Sequence, residues 1–90
     1  MTDVDKIPAD KRKKGVDKLL SAITNLQTTG VAEMKESGKN VSDVESELSK
    51  MRNILDVDPP PHSKKIIIAG QALENIRYYL CYLFSLSITN

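Results

Sequence analysis

Pro59, Pro60 and Pro61 stand in a row two-thirds of the way along this 90-residue chain, and no other feature restricts its folding as much. Proline has no backbone N–H and pushes the residue before it out of the α conformation. No helix therefore passes through the run, and no central strand contains it. Residues 58–62 read as an extended, stiff connector between two separately patterned stretches.

Before the connector, Val41, Val44, Leu48, Met51 and Leu55 recur in steps of three, four, three and four. Asp43, Glu45, Glu47, Lys50 and Arg52 fall on the other faces. The pattern predicts an amphipathic helix that starts after Gly38, Lys39 and Asn40, with Ser42 and Glu45 at capping-box spacing, and ends before Asp58. Two heptads are short, so core packing is the expected use of this seam. Earlier in the chain, Val16, Leu19, Leu20, Ile23 and Leu26 share one face of a helix running from Pro8 to about Gln27. Its end stays open. Thr28, Thr29 and Gly30 make a stop, whereas Val31 and Met34 prolong the same face if the helix tolerates Gly30 at about 1 kcal/mol.

After the connector, Ser63 is placed to cap a third segment whose apolar positions Ile66, Ala69, Leu73, Ile76, Leu80 and Leu83 again step by three and four. A second apolar line runs through Ala72, Tyr79, Tyr82 and Leu86, and no charge follows Arg77. The rival assignment is a strand, because Tyr78, Leu80, Tyr82, Phe84, Leu86 and Ile88 also alternate. A lone strand would have no partner elsewhere in the chain, so helix is adopted. The expected fold is all-α, a small three-helix bundle built from a helical hairpin and an apolar C-terminal helix. It forms one domain over residues 1–90, with 1–7 as a flexible N-terminus.

All four aromatic residues, Tyr78, Tyr79, Tyr82 and Phe84, fall within seven positions of that last helix. A helix packed on a two-helix hairpin hides roughly half its circumference, yet this one is apolar on both halves. Aromatic side chains dominate interfaces as well as cores. The pattern therefore predicts an oligomer, or a complex with another helical protein, with Tyr78, Tyr79, Tyr82, Phe84, Leu86 and Ile88 at the interface. The expected function is a non-enzymatic protein-interaction or regulatory module. Eleven uncharged residues are too few to span a bilayer, which needs about 20, so no membrane span is expected.

Groups for chemistry are sparse. His62 and Cys81 are each the sole residue of their type, so one chain cannot complete a nitrogen and sulfur zinc site, and no intrachain disulfide forms. Cys81 lies in an apolar segment and reads as a buried structural thiol, and His62 as a solvent-facing loop residue. The four glycines are too scattered for a phosphate-binding loop, and no set of catalytic groups can be named, so no cofactor and no enzymatic activity are expected. The lone thiol and a charged N-terminus unlike a signal peptide fit an intracellular, by default cytoplasmic, setting.

Net charge is +1, which removes the global argument for nucleic acid. Locally, Lys11, Arg12, Lys13, Lys14 and Lys18 face only Asp17. Lys11, Arg12, Lys13 and Lys14 form the alternative site, a contact for nucleic-acid phosphates or another anion. The plainer account is a helix start carrying solubilising lysines, since no stacking aromatic or recognition helix is near.

Overall fold

The computed structural model of the chain describes residues 5–89, with side chains to Ser85. Every regular element in that range is helical: α1 (Ala9–Asn25), a π-helical stretch (Leu26–Val31), α2 (Ala32–Glu36), α3 (Ser42–Leu55) and α4 (Ser63–Thr89). The all-α expectation holds. The strand alternative for 78–88 does not, because α4 runs unbroken through it.

Residues 9–36 form one continuous rod, so the helix does pass through Gly30. The reason lies in the spacing of its buried residues. Val16 and Ile23 are seven apart, which an α-helix keeps on one face, but Val31 is eight beyond Ile23, which a regular helix would rotate away by about 80°. The wider π turn absorbs the extra residue and returns Val31 to the face of Val16 and Ile23, and these three are buried together with Met34. Thr28 and Thr29 hydroxyls donate to the carbonyl oxygens of Thr24 and Asn25, which helps satisfy the altered ladder.

The first rod stops at a glycine in the left-handed region, Gly38 (φ 80°). The Gly38 N–H bonds Lys35 O at 3.0 Å and the Lys39 N–H bonds Met34 O at 2.9 Å, a Schellman closure that returns the chain. α3 then starts differently from the capping-box expectation. Its N-cap is Val41, and Asn40 Oδ1 accepts from the Ser42 N–H at 3.1 Å and the Ser42 hydroxyl at 2.9 Å. An Asx turn one residue earlier has taken over the role.

α3 runs antiparallel to the first rod, tied by Lys35–Glu45 at 3.0 Å near one end and by Arg52 Nη2 to Thr24 and Gln27 lower down. The whole seam Val41, Val44, Leu48, Met51 and Leu55 is buried. After the connector, α4 runs parallel to the first rod. Gly15 faces Ile66, Leu19 faces Gly70, and Gly30 faces Leu80, a nearly constant offset along the chain. Ala69, Leu73 and Leu80 complete the core. The result is a narrow body of 53 × 20 × 17 Å. Because α3 has only 14 residues, it covers part of the length of its longer neighbours.

Candidate interaction surface

α4 packs one face inward and turns the other to solvent. Ile66, Ala69, Leu73, Ile76, Leu80 and Leu83 belong to the core or pack against it. On the opposite side, Tyr78 is 68%, Tyr79 48% and Tyr82 60% exposed, whereas Phe84, four residues past Leu80 on the inward line, is 46% exposed in the gap beside the first rod. Thus all four aromatic side chains of the protein lie outside its own core. Ile67 and Ile68 extend the apolar character toward the start of α4, at 59% and 63% exposure. Leu86 and Ile88, named with them from the sequence, lie outside the residues whose side chains are described.

Cys81 is exposed, contrary to the expectation of a buried structural thiol. It sits beside Phe84 at the mouth of a groove of about 370 Å³ between α4 and the upper part of the first rod, with Gly30, Glu33 and Leu80 on its walls. The inward positions around it are filled by Ile76, Leu80 and Leu83, and Cys81 falls one step past Leu80, off that face. A second groove of about 350 Å³ between α3 and α4 has Met51, Ile54, Ile68 and Ala72 along it, with Lys50 and Lys65 at the rim.

The basic cluster is divided in role. Lys11, Lys13 and Lys14 are exposed, but Arg12 is turned inward. Its Nη1 donates to the carbonyl oxygens of Pro60 at 2.9 Å and Pro61 at 3.2 Å, its Nε donates to Ile7 O at 3.1 Å, and that Nε lies 3.5 Å from Asp5 Oδ2. A guanidinium presents five donors in a planar fork, and prolines supply carbonyls with no competing N–H, so the two fit as clamp and strap. Sequence reasoning placed Arg12 in an anion site. The signal that assigns it otherwise is tertiary, since its partners are 48 and 49 residues away.

Asp5 completes this clamp and was not singled out from the sequence. Its carboxylate accepts from the Ile7 N–H at 2.9 Å, the Ser63 N–H at 2.6 Å and the Ser63 hydroxyl at 2.9 Å. Ser63 is thus not the capping acceptor expected at the start of α4. It donates to a carboxylate supplied from the other end of the chain, which also suits the positive end of the helix dipole. The Ile7 N–H, and then the Ser63 N–H and hydroxyl and the nearby His62, hold Asp5 down at about 2 from an ordinary 3.8, against the opposing effect of burial. His62 is half-buried here rather than solvent-facing. Its Nδ1 accepts from the Lys64 N–H at 3.1 Å and lies 3.8 Å from Asp5 Oδ2. Residues 5–7, read from sequence as part of a loose arm, are tied to the start of α4.

Among the described residues, no cluster of histidine, cysteine or carboxylate groups is placed to hold a metal ion, and no helix is long and apolar enough to cross a membrane. No protein family, curated protein or solved structure matches this chain.

Proposed function

We propose that the chain is a non-enzymatic interaction module, an oligomeric three-helix bundle that self-associates or engages a helical partner through the outer face of α4. The observation that carries this reading is the solvent exposure of Tyr78, Tyr79 and Tyr82 on the side of one helix whose other face is already packed, with Phe84 also exposed at the edge of the packed face. Fully burying a large apolar side chain contributes about 1.5–3 kcal/mol, so this face holds several kcal/mol of unused driving force. A contiguous patch of that kind on so small a body marks an association site. Light scattering coupled to size exclusion, over a range of concentrations, tests the self-associating form. A dimer or larger species that Tyr78→Ser with Tyr82→Ser converts to a folded monomer supports it. A wild-type monomer at every concentration removes self-association and leaves a hetero-partner to find.

A second reading draws on the Lys11, Lys14 and Lys18 stripe, which occupies one exposed face of α1 at spacings of three and four. Since α1 and α4 start side by side, Lys64 and Lys65 join that end of the molecule. Such an end suits phosphate, with steep salt dependence and little sequence preference. Neutralising Lys11, Lys13 and Lys14 together, followed by duplex binding across a salt series, tests it. Unchanged binding in the triple variant rules this site out.

A further inference from the structure

The outer face of α4 carries a register. Ile68, Gln71, Asn75, Tyr78, Tyr82 and Ser85 are all exposed and step by three, four, three, four and three, an a/d seam on the side away from the core. The inward seam through Ala69, Leu73, Ile76 and Leu80 is already satisfied, so α4 has two heptad faces and only one of them is used within the chain. We infer that the second face takes the α4 of another copy of this chain, in antiparallel orientation, with Ile68 opposite Ser85 across the pair. This inference rests on the self-associating form of the function proposed above.

Two observations select the occupant, and the first of them also sets its direction. The first is charge. The start of α4 is flanked by Lys64 and Lys65, with Lys11 lining a groove beside Ser63 and Ile67. Farther along the same helix the neighbouring charges are Glu74, which pairs with Arg77 at 3.7 Å, and Glu33 on the adjoining rod. A parallel pair would set the three lysines of one copy beside the same three of the other. An antiparallel pair sets them beside the end bearing Glu33 and the negative end of the other copy's helix dipole.

The second observation is hydrogen-bonding type. Full overlap of a seam running from residue 68 to residue 85 in antiparallel sense puts Tyr78 opposite Asn75 of the second copy and Tyr82 opposite Gln71 of the second copy. Each phenol then meets an amide, which both donates and accepts, so the polar groups in the middle of the seam find partners as they lose water. The parallel alternative pairs each residue with itself and also matches donors with acceptors, so the direction of the pair rests on charge. A polar residue at a seam position is the feature that fixes register in helix pairs. Here Gln71 and Asn75 supply it and disfavour a slip along the pair.

The test uses the full chain with Cys81→Ser and Lys64→Cys, a single exposed label site one turn before Ile68 where the seam ends, and reads mass by light scattering and the label-to-label distance by pulsed electron spin resonance. In the antiparallel register the labels lie 25 residues apart along the pair, at a distance of about 40 Å from the helical rise and interaxial spacing. A dimer with that distance is the expected result. A dimer with a distance of about 10–20 Å is parallel and overturns the register while leaving self-association standing. A monomer under these conditions, and for the unlabelled wild type, overturns both.

Discussion

The Nη1 of Arg12 donates to the carbonyl oxygen of Pro60 at 2.9 Å, bridging the start of the first helix and the end of the proline connector. Arg12→Ala removes donors to Ile7, Pro60 and Pro61 at once and leaves Asp5 without its guanidinium neighbour. The expected loss of stability is about 1.5–3 kcal/mol, the range for hydrogen bonds that involve a charged group. Lys13→Ala and Lys14→Ala, one and two residues away on the exposed surface, should stay within about 0.5 kcal/mol of wild type. Urea unfolding followed by circular dichroism compares the three. Equal effects would mean that Arg12 is an ordinary surface residue.

Asp5 gives that clamp a pH dependence. Its folded pKa of about 2 lies below the ordinary 3.8, so the unfolded chain binds the proton more readily. The contribution to stability is therefore complete above about pH 4 and is lost as pH falls toward 2. Asp5→Asn should be less stable than wild type at pH 7 and should lose less on acidification across that window. Thermal melts at intervals between pH 2 and 5 reveal the difference, and parallel curves for the two proteins would contradict it.

Three glycines should respond to alanine in opposite ways. A Cβ on Gly15 meets Ile66 at an ordinary 3.6 Å, so Gly15→Ala should stabilise by up to about 1 kcal/mol through helix propensity. A Cβ on Gly30 meets Leu80 Cδ1 at 3.2 Å, so Gly30→Ala gains the same propensity but must displace a buried leucine, and a net loss is expected. Gly38 has open space around it but φ of 80°, so Gly38→Ala should lose about 1 kcal/mol from backbone strain alone. Denaturant midpoints rank the three, and a stabilised Gly30→Ala would show that the contact with Leu80 relaxes freely.

The π turn predicts an unusual tolerance. Deleting Thr28 shortens the spacing from Ile23 to the valine now at position 31 to seven residues, so a regular α-helix would keep the same face inward. That deletion should remain folded within about 1–2 kcal/mol of wild type. Deleting Ser21 lies in regular helix between Val16 and Ile23 and should rotate the lower half of the face by about 100°, with a much larger loss. Comparable damage from both deletions would show that the π turn does not act as the site of the extra residue.

Much of the fold was legible from local spacing. The seam from Val41 to Leu55, the stop at Gly38 and the break at Pro59–Pro61 depend on periodicity, on a left-handed backbone angle and on a missing N–H, all of which act over a few residues. The continuation through Gly30 was only half legible. The eight-residue step from Ile23 to Val31 was visible, but whether it ends a helix or widens one turn depends on Leu80 waiting in α4 to fill the place of the missing side chain.

The candidate surface divides in the same way. Sequence alone determined that the aromatics lie together on an apolar helix with more greasy circumference than a hairpin can cover, because composition and period are properties of one segment. Tertiary structure decided which side of that helix is spent on the core, and hence that Tyr78, Tyr79 and Tyr82 face outward while Cys81 and Phe84 line the open groove beside the first rod. It also decided that Arg12 leaves the basic cluster to hold the proline strap, while Asp5 reaches across to the start of α4. Those outcomes depend on which faces and which ends meet when helices far apart in the chain pack side by side, and a one-dimensional pattern does not contain that geometry.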